Sequence, residues 1–318
     1  MAVIGDLLIQ GAQMALVLLL APLFTGVVRK MKARLQRRRG APVLQPYRDL
    51  LRLLGKEVVL ADNASWLFRT APYLIFALTW VAAALVPTFA TGLLFSWSGD
   101  LIAIIALLGA ARFLLALAGM DVGTSFGGIG ASREMMIASL AEPAMLMIVI
   151  SLALLAGSTQ LSTIAAFMLS SAVGLRVSLA LALIAFIIVA LAENARIPVD
   201  NPATHLELTM VHEAMVLEYS GRHLAMIELA AALKLLLTVS AIACIFFPFG
   251  LAAGPDGLVR YPIGLASYAA KLGVAAVLLG TFETSIAKMR VFRVPGFLGA
   301  ALMLSLLATL LLYVSRGL

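Results

Sequence analysis

Long apolar segments alternate with polar loops along the whole chain. A transmembrane helix needs about 20 mostly apolar residues, and eight segments meet this requirement. They cover residues 3–28, 71–95, 100–119, 134–157, 161–191, 223–249, 262–282 and 297–315. The pattern predicts an all-α integral membrane protein with about eight transmembrane helices, in which residues 1–318 form a single polytopic membrane domain.

A shorter amphipathic segment follows the first predicted span. In the stretch PVLQPYRDLLRLLGKE, apolar residues recur at helical spacing with charged residues between them. The apolar positions are Leu44, Tyr47, Leu50, Leu51 and Leu54. This arrangement is typical of an amphipathic helix that lies in the membrane interface. Burial under a partner protein is the alternative.

Composition supports a helical membrane protein. Of the 318 residues, 63% are hydrophobic and only 12% are charged, whereas soluble domains carry about 25% charged residues. Leu and Ala dominate, which favours helices over a transmembrane barrel. The single cysteine, Cys244, allows neither a disulfide nor a cysteine-ligated cluster within the chain. We therefore expect no cofactor, metal site or catalytic residue in this chain, and any electrons would be carried by another subunit.

Basic residues lie mostly on one side of the predicted bundle. The loops at about 29–70, 120–133, 192–222 and 283–296 hold 17 of the 23 Lys and Arg residues, and the opposite loops and termini hold two. The positive-inside rule places these four loops in the cytoplasm and both termini outside. The run of Arg37, Arg38 and Arg39 either sets this topology or contacts lipid headgroups or a partner protein.

Several ionisable residues fall within or beside the predicted spans, where they are costly and therefore candidates for function. They are Arg112, Glu142, Arg176, Glu193, Glu228, Lys234, Lys271 and Glu283. We interpret Glu142 as a proton-exchanging carboxylate, and a structural ion pair with Arg112 or Lys234 is the alternative. Lysines in a desolvated site can exchange protons. Arginines stay protonated and act as charge partners.

The loop AENARIPVDNPATHLELTMVHEAMVLEYSG is unusually rich in ionisable residues for its position between two spans. The pair His212-Glu213 is like the start of a zinc-protease motif, but Val216 stands where the second histidine would be, so we expect no metal. Acids beside a lipid boundary suit a wet pocket that accepts protons. We predict a proton entrance formed by Glu142, Glu193, Asp200, Glu207, Glu213 and Glu218, continued inward by Glu228, Lys234 and Lys271.

The same loop carries a resemblance to a known family. The pattern Glu193-x-x-Arg196-x-Pro198-x-Asp200-x-Pro202, followed by the sequence EYSG, is similar to the signature of the H-type membrane subunit of complex I. Three other regions agree: LQRRRGAPVLQP, Arg133 with Glu142, and Lys271 with KMRVFR. The resemblance implies an eight-helix protein that forms the quinone chamber and joins the hydrophilic arm to the proton pumps. It also implies that Arg133, Arg196 and Glu283 are structural or charge partners.

Departures from that signature narrow the resemblance. Ala203 and His205 replace acids, which puts quinone binding in doubt. The form NPATHLELTMVHEAMVLEYSG, with FETSIAKMRVFRVP, resembles the formate hydrogenlyase subunit 4 and hydrogenase-4 component C branch, whose members are membrane subunits of group 4 [NiFe] hydrogenases. This branch implies a bacterial or archaeal cytoplasmic (inner) membrane. It also implies hydrogenase large and small subunits and an iron–sulfur protein on the cytoplasmic face, an antiporter-like membrane subunit as neighbour, and a [NiFe] centre and iron–sulfur clusters in those partners.

The sequence thus predicts a membrane-anchoring, proton-coupling subunit of an oxidoreductase complex, with lipid and protein but no nucleic acid as partners. Within the family, a quinone-site subunit of a complex I type NADH:quinone oxidoreductase is the alternative. A secondary transporter is an alternative from another class, although we find no internal repeat of the kind many transporters show. A purely structural anchor would leave the intramembrane acids unexplained.

Overall fold

The computed structural model describes residues 2–92, 95, 98–170, 176–200, 210–252 and 257–317. Its helices are α1 (Ala2–Leu35), α2 (Gln45–Leu54), α3 (Trp66–Leu85), α4 (Leu101–Asp121), α5 (Ser125–Ala156), α6 (Leu161–Leu169), α7 (Val177–Glu193), α8 (His212–Val216), α9 (Gly221–Phe246), α10 (Gly257–Ser285) and α11 (Val294–Gly317). A short 3-10 helix, Val291–Arg293, precedes α11. Over the described ranges there is no strand, and the only extended pairings are two isolated bridges, Ala90–Ala252 and Asp100–Gln160. The predicted all-α fold is confirmed.

Seven helices of the described chain are long and apolar enough to cross a membrane: α1, α3, α4, α5, α9, α10 and α11. The fifth predicted span, 161–191, is the exception. The prediction of one continuous helix there is wrong, because α6 ends at Leu169 and the backbone of Ser170 is extended. The second piece, α7, has 17 residues and rises about 26 Å. It is apolar but shorter than the other crossing helices.

The predicted amphipathic helix is present as α2. It packs against α1 and α9, with Pro46 buried. Leu50 and Leu53 face a cavity inside the bundle, whereas Leu51 is 70% exposed. One apolar side of α2 therefore faces the bundle, and a second apolar side, at Leu51, lies on the outer surface of the protein.

Helix α9 lies at the centre of the bundle. Leu233 and Leu236 are completely buried in the largest apolar cluster, which also includes residues of α1, α3, α4, α5, α6, α7 and α10. Small residues line many contacts, as is typical where helices pack closely in a membrane. Gly127 on α5 is one such position, because a Cβ there would overlap the carbonyl oxygen of Gly119 on α4.

The loops that follow α1, α7 and α10 meet on one side of the bundle, which we call the basic side. The backbone N–H of Met289 donates to Pro198 O at 2.9 Å, which joins the loop after α10 to the loop after α7. On the other side, the backbone N–H groups of Thr91 and Ala252 donate to Ala252 O and Phe89 O, each at 2.9 Å. Helix α10 packs mainly against α1, with a smaller contact to α9.

Candidate functional site

Five charged side chains from four helices meet inside the bundle. Arg112 of α4 lies 3.4 Å from Glu134 and 3.5 Å from Glu142, both on α5, and it contacts Glu193 at the end of α7 directly. Lys234 of α9 lies 3.0 Å from Glu193. We call these five residues the charge cluster. It combines three carboxylates with two cations, so the cluster has one more negative charge than positive charges when all five groups are ionised.

The members of the charge cluster differ in exposure. The Arg112 side chain is only 3% exposed, Glu134 is buried and the Glu193 side chain is 10% exposed, whereas the Glu142 side chain is 45% exposed. Glu142 lies beside Gly109 of α4, where a Cβ would be in ordinary contact with Oε1 of Glu142 at 3.5 Å. The charge cluster therefore extends from the centre of the bundle to its lateral surface along α4 and α5.

The backbone around two of these carboxylates departs from regular helix. Pro143 follows Glu142 inside α5, and because proline has no N–H, one helical hydrogen bond is missing beside the carboxylate. Helix α7 ends at Glu193, where the Asn194 amide donates to Ala190 O at 2.8 Å and to the Thr238 hydroxyl at 3.1 Å. This second bond ties the end of α7 to α9 and brings Glu193 against Lys234.

A cavity of about 410 Å³ reaches from the basic side to the charge cluster. Its apolar walls come from α1, α2, α3, α4 and α9. Predicted proton-pathway residues in the wall are Glu193, Asp200, Glu213, Glu228 and Lys234. The volume lies in the range of small-molecule sites, about 300–1,000 Å³. A smaller void of about 40 Å³ touches Arg112, Glu142, Glu193 and Lys234 on the other side of the cluster.

A second ionic network joins the loops on the basic side. The buried Glu283 lies 3.1 Å from Lys32 and 3.3 Å from Arg196. Burial lowers the pKa of Arg196 and the Glu283 carboxylate opposes this shift, although a guanidinium remains protonated in proteins. Asp200 lies 2.6 Å from Lys288 and accepts hydrogen bonds from the backbone N–H groups of Val211 and His212. We call Lys32, Arg196, Asp200, Glu283 and Lys288 the loop network.

Other predicted residues lie apart from these two groups. Glu218 is exposed after α8 and is not part of the cavity wall. Lys271 lies on α10 near Cys244, and none of the described contacts joins it to the charge cluster. Arg133 donates to Met210 O at 2.7 Å. Arg37, Arg38 and Arg39 are exposed beyond α1. Glu207 lies outside the described residues.

Glu193 and Arg196 do not share a helical face, although they are three residues apart. Helix α7 ends at Glu193, and Ala195 has a positive φ of 47°. Arg196 therefore turns to Glu283, and Glu193 turns to Arg112 and Lys234.

Sequence reasoning missed Glu134, Lys32 and Lys288. Glu134 is the first residue of the fourth predicted span and follows Arg133. A charged residue at that position is typical of the end of a span, so it does not indicate an intramembrane ion pair. The position of Glu134 eight residues before Glu142 on one helix was the available signal. The partners of Lys32 and Lys288 are 251 and 88 residues away in the chain, and no spacing rule connects them.

Comparisons with known proteins agree with this architecture. The family described as NADH dehydrogenase matches residues 9–314. Hydrogenase-4 component C of Escherichia coli (strain K12) is 36% identical over 241 residues, covering 76% of this chain and 75% of that protein. Formate hydrogenlyase subunit 4 of the same organism is 34% identical over 274 residues, covering 85% and 87%.

A more distant relative is a complex I chain by name, and a solved structure shares the fold. NADH-ubiquinone oxidoreductase chain 1 of Triticum aestivum is 31% identical over 69% of this chain and 70% of its own length. A chain in the structure of an archaeal respiratory membrane complex, the membrane-bound sulfane sulfur reductase, superposes with a TM-score of 0.82 at 22% identity. It covers 97% of this chain and 99% of its own length. This chain therefore belongs to the NADH dehydrogenase family of membrane subunits, the H type of complex I, which includes hydrogenase-4 component C and formate hydrogenlyase subunit 4.

Proposed function

We propose that this chain is the membrane-anchoring and proton-coupling subunit of a group 4 [NiFe] hydrogenase or formate hydrogenlyase type complex. One observation carries the proposal. The charge cluster, with three carboxylates and two cations, lies between a cavity open to the basic side and the lateral surface at Glu142. A proton that enters the cavity therefore meets ionisable groups in the cavity wall and in the charge cluster before it reaches the surface at Glu142.

The unequal charge count explains how such a cluster can respond to a redox event. In a low-dielectric interior, opposite charges stabilise each other strongly and an excess negative charge is costly. We propose that this excess negative charge attracts the proton that the cluster passes on, as a property of the whole cluster and not of one residue. A new negative charge near the cavity raises the affinity of the cluster for protons, and loss of that charge releases a proton again.

Some buried polar atoms of the charge cluster have no hydrogen-bond partner among the described residues. Nε and Nη1 of Arg112 form no hydrogen bond within the described chain, although they are buried and lie 3.4 Å and 3.5 Å from the carboxylates of Glu134 and Glu142. Buried polar groups are normally satisfied by protein or by water. These atoms border the cavity, which supports a hydrated site through which protons can pass.

The proposed partners follow from the two accessible surfaces. The basic side would face the cytoplasm and bind the hydrogenase large and small subunits with their iron–sulfur protein, which hold the [NiFe] centre and clusters. The lateral surface at Glu142 would contact an antiporter-like subunit. The relatives named hydrogenase-4 component C and formate hydrogenlyase subunit 4 support this assignment.

The proposal is tested by separating electron transfer from proton movement in sealed vesicles that contain the whole complex. Lys234→Gln and Glu193→Gln each alter the charge balance of the cluster, so both should lower proton translocation strongly while dye-linked hydrogen oxidation continues. Glu57→Gln is the matched control, because Glu57 is exposed on the basic side and outside the cavity wall. Full translocation in both cluster variants would refute the proposal.

Quinone binding is the second candidate, and the volume of the cavity favours it. A photoreactive short-chain quinone should then label cavity residues of the assembled complex. Ala231 lies in the cavity wall, and Ala231→Trp should narrow the cavity and abolish that labelling. If labelling is absent, or if Ala231→Trp does not change it, the cavity serves protons and not quinone.

A further inference from the structure

Lys271 is an intramembrane cation outside the charge cluster. It lies in the middle of α10, 14 residues from each end of Gly257–Ser285, which corresponds to about 21 Å of helix on either side. A lysine side chain cannot reach polar surroundings over that distance, so the ammonium group needs a partner at its own depth.

The described residues provide no such partner. Lys271 makes no ion pair or hydrogen bond with them, and the titratable neighbour that influences it is Cys244 of α9, whose thiol is a weak acceptor. Every carboxylate of the charge cluster is already within ion-pair distance of Arg112. No counter-charge for Lys271 is thus found among the described residues, and this points to one supplied by a neighbouring molecule.

The side of α10 next to Lys271 has the form of a helix-packing surface. Ile263, Ser267, Lys271, Val274 and Leu278 follow one another at intervals of four, four, three and four residues, so they form a continuous stripe on the helix. We call this stripe the α10 seam. Its three large apolar members, Ile263, Val274 and Leu278, are 63%, 60% and 64% exposed.

The α10 seam is separate from the surface at Glu142. Helix α10 is attached through α1 and α9, whereas Glu142 lies on α5, which packs against α4, α6, α7, α8 and α11. A single helix packed at Glu142 is therefore not the helix that supplies the counter-charge for Lys271.

We propose that the α10 seam binds a transmembrane helix of a neighbouring membrane subunit, and that this helix places an Asp or Glu carboxylate opposite Lys271. Charge complementarity selects this occupant. Acyl chains can cover Ile263, Val274 and Leu278 but cannot neutralise an ammonium group in the middle of the membrane. A second copy of this chain would bring a second Lys271 or an apolar surface to the same depth. The inference is independent of proton coupling, because it concerns assembly.

The experiment uses the assembled complex in mild detergent. Lys271→Met and Lys271→Glu should each lower the ratio of one membrane subunit to this chain by roughly three- to twentyfold, the range that polar contacts between membrane helices contribute. Arg260→Glu is the matched control, since it reverses a charge near the start of the same helix. A photo-crosslinking residue at Leu278 should attach to the subunit that is lost, on a transmembrane segment that contains a carboxylate.

Charge exchange then decides between partners. Replacing that carboxylate by lysine should restore the complex in the Lys271→Glu background. If Lys271→Glu fails to insert, Lys271→Met carries the test. Three results would overturn the proposal: normal subunit ratios in Lys271→Met, crosslinking at Leu278 to lipid or to a second copy alone, or a crosslinked helix that has no carboxylate. Each readout is independent of proton translocation.

Discussion

The ammonium group of Lys234 on α9 lies 3.0 Å from the carboxylate of Glu193 at the end of α7, and the same carboxylate contacts Arg112 of α4. Three helices that are distant in the chain are thus held together by one acid. This relationship makes the charge cluster a structural joint between α4, α7 and α9.

Removal of Arg112 should therefore damage the fold as well as any coupling. Arg112→Gln leaves three carboxylates to share one lysine, and breaking a buried ion pair costs about 3–5 kcal/mol. We expect little assembled complex in membranes, measured as the amount of this chain that co-purifies with its partners. Arg52→Gln is the control, because the Arg52 side chain is 67% exposed. Normal assembly of Arg112→Gln would contradict this role.

The sequence predicts much of this arrangement and misses its connections. Spans and the amphipathic helix follow from hydrophobic periodicity, which depends on local residues. Arg112 and Glu142 were recognisable as partners because isolated charges in a membrane need opposite charges. The pairing of Glu283 with Lys32 depends on how α1 and α10 pack, and no local pattern encodes that contact. The end of α6 at Leu169 could not be predicted from hydrophobicity, because the sequence on both sides of it is mostly apolar.

The loop network should control the stability of the basic side. Glu283→Gln leaves Lys32 and Arg196 without their shared carboxylate, and a buried unpaired charge costs about 3–5 kcal/mol. We expect a lower thermal midpoint of the purified complex, measured by intrinsic fluorescence. The same substitution at Glu57, which is exposed, should leave the midpoint unchanged. Equal midpoints for both variants would show that the loop network does not stabilise the fold.

Two adjacent glycines provide a matched test of the α4–α5 packing. Gly127→Ala introduces a Cβ that overlaps the Gly119 carbonyl oxygen, and overpacking of this kind costs about 1–3 kcal/mol. Gly128→Ala meets no atom within 4 Å and should be neutral or slightly stabilising. The thermal midpoints of the two variants, compared in the same preparation, check the difference. The packing account fails if Gly127→Ala is as stable as Gly128→Ala.

The exposed arginines after α1 should bind the soluble subunits electrostatically. Reversal of Arg37, Arg38 and Arg39 to glutamate removes the attraction that we expect to hold those subunits. The subunits should then be released already at moderate salt, because salt screens the remaining exposed charges over about 8 Å at physiological ionic strength. Gel filtration at increasing salt measures the release. Reversal of Arg260, which is exposed on α10, serves as the control. Release by Arg260→Glu and not by the triple variant would mean that the opposite side binds the soluble subunits.

The most direct test of proton coupling is the number of protons translocated per electron in sealed vesicles carrying Glu142→Gln. Glu142 is the half-exposed member of the charge cluster, and its neutral variant removes the surface end of the proposed pathway while leaving Arg112 paired with Glu134 and Glu193. We predict an assembled complex with nearly normal dye-linked hydrogen oxidation and a proton-to-electron ratio close to zero. Glu207→Gln, at the proposed proton entrance, should lower the ratio in the same way. Wild-type ratios in both variants would show that these acids are structural and that protons move through another subunit.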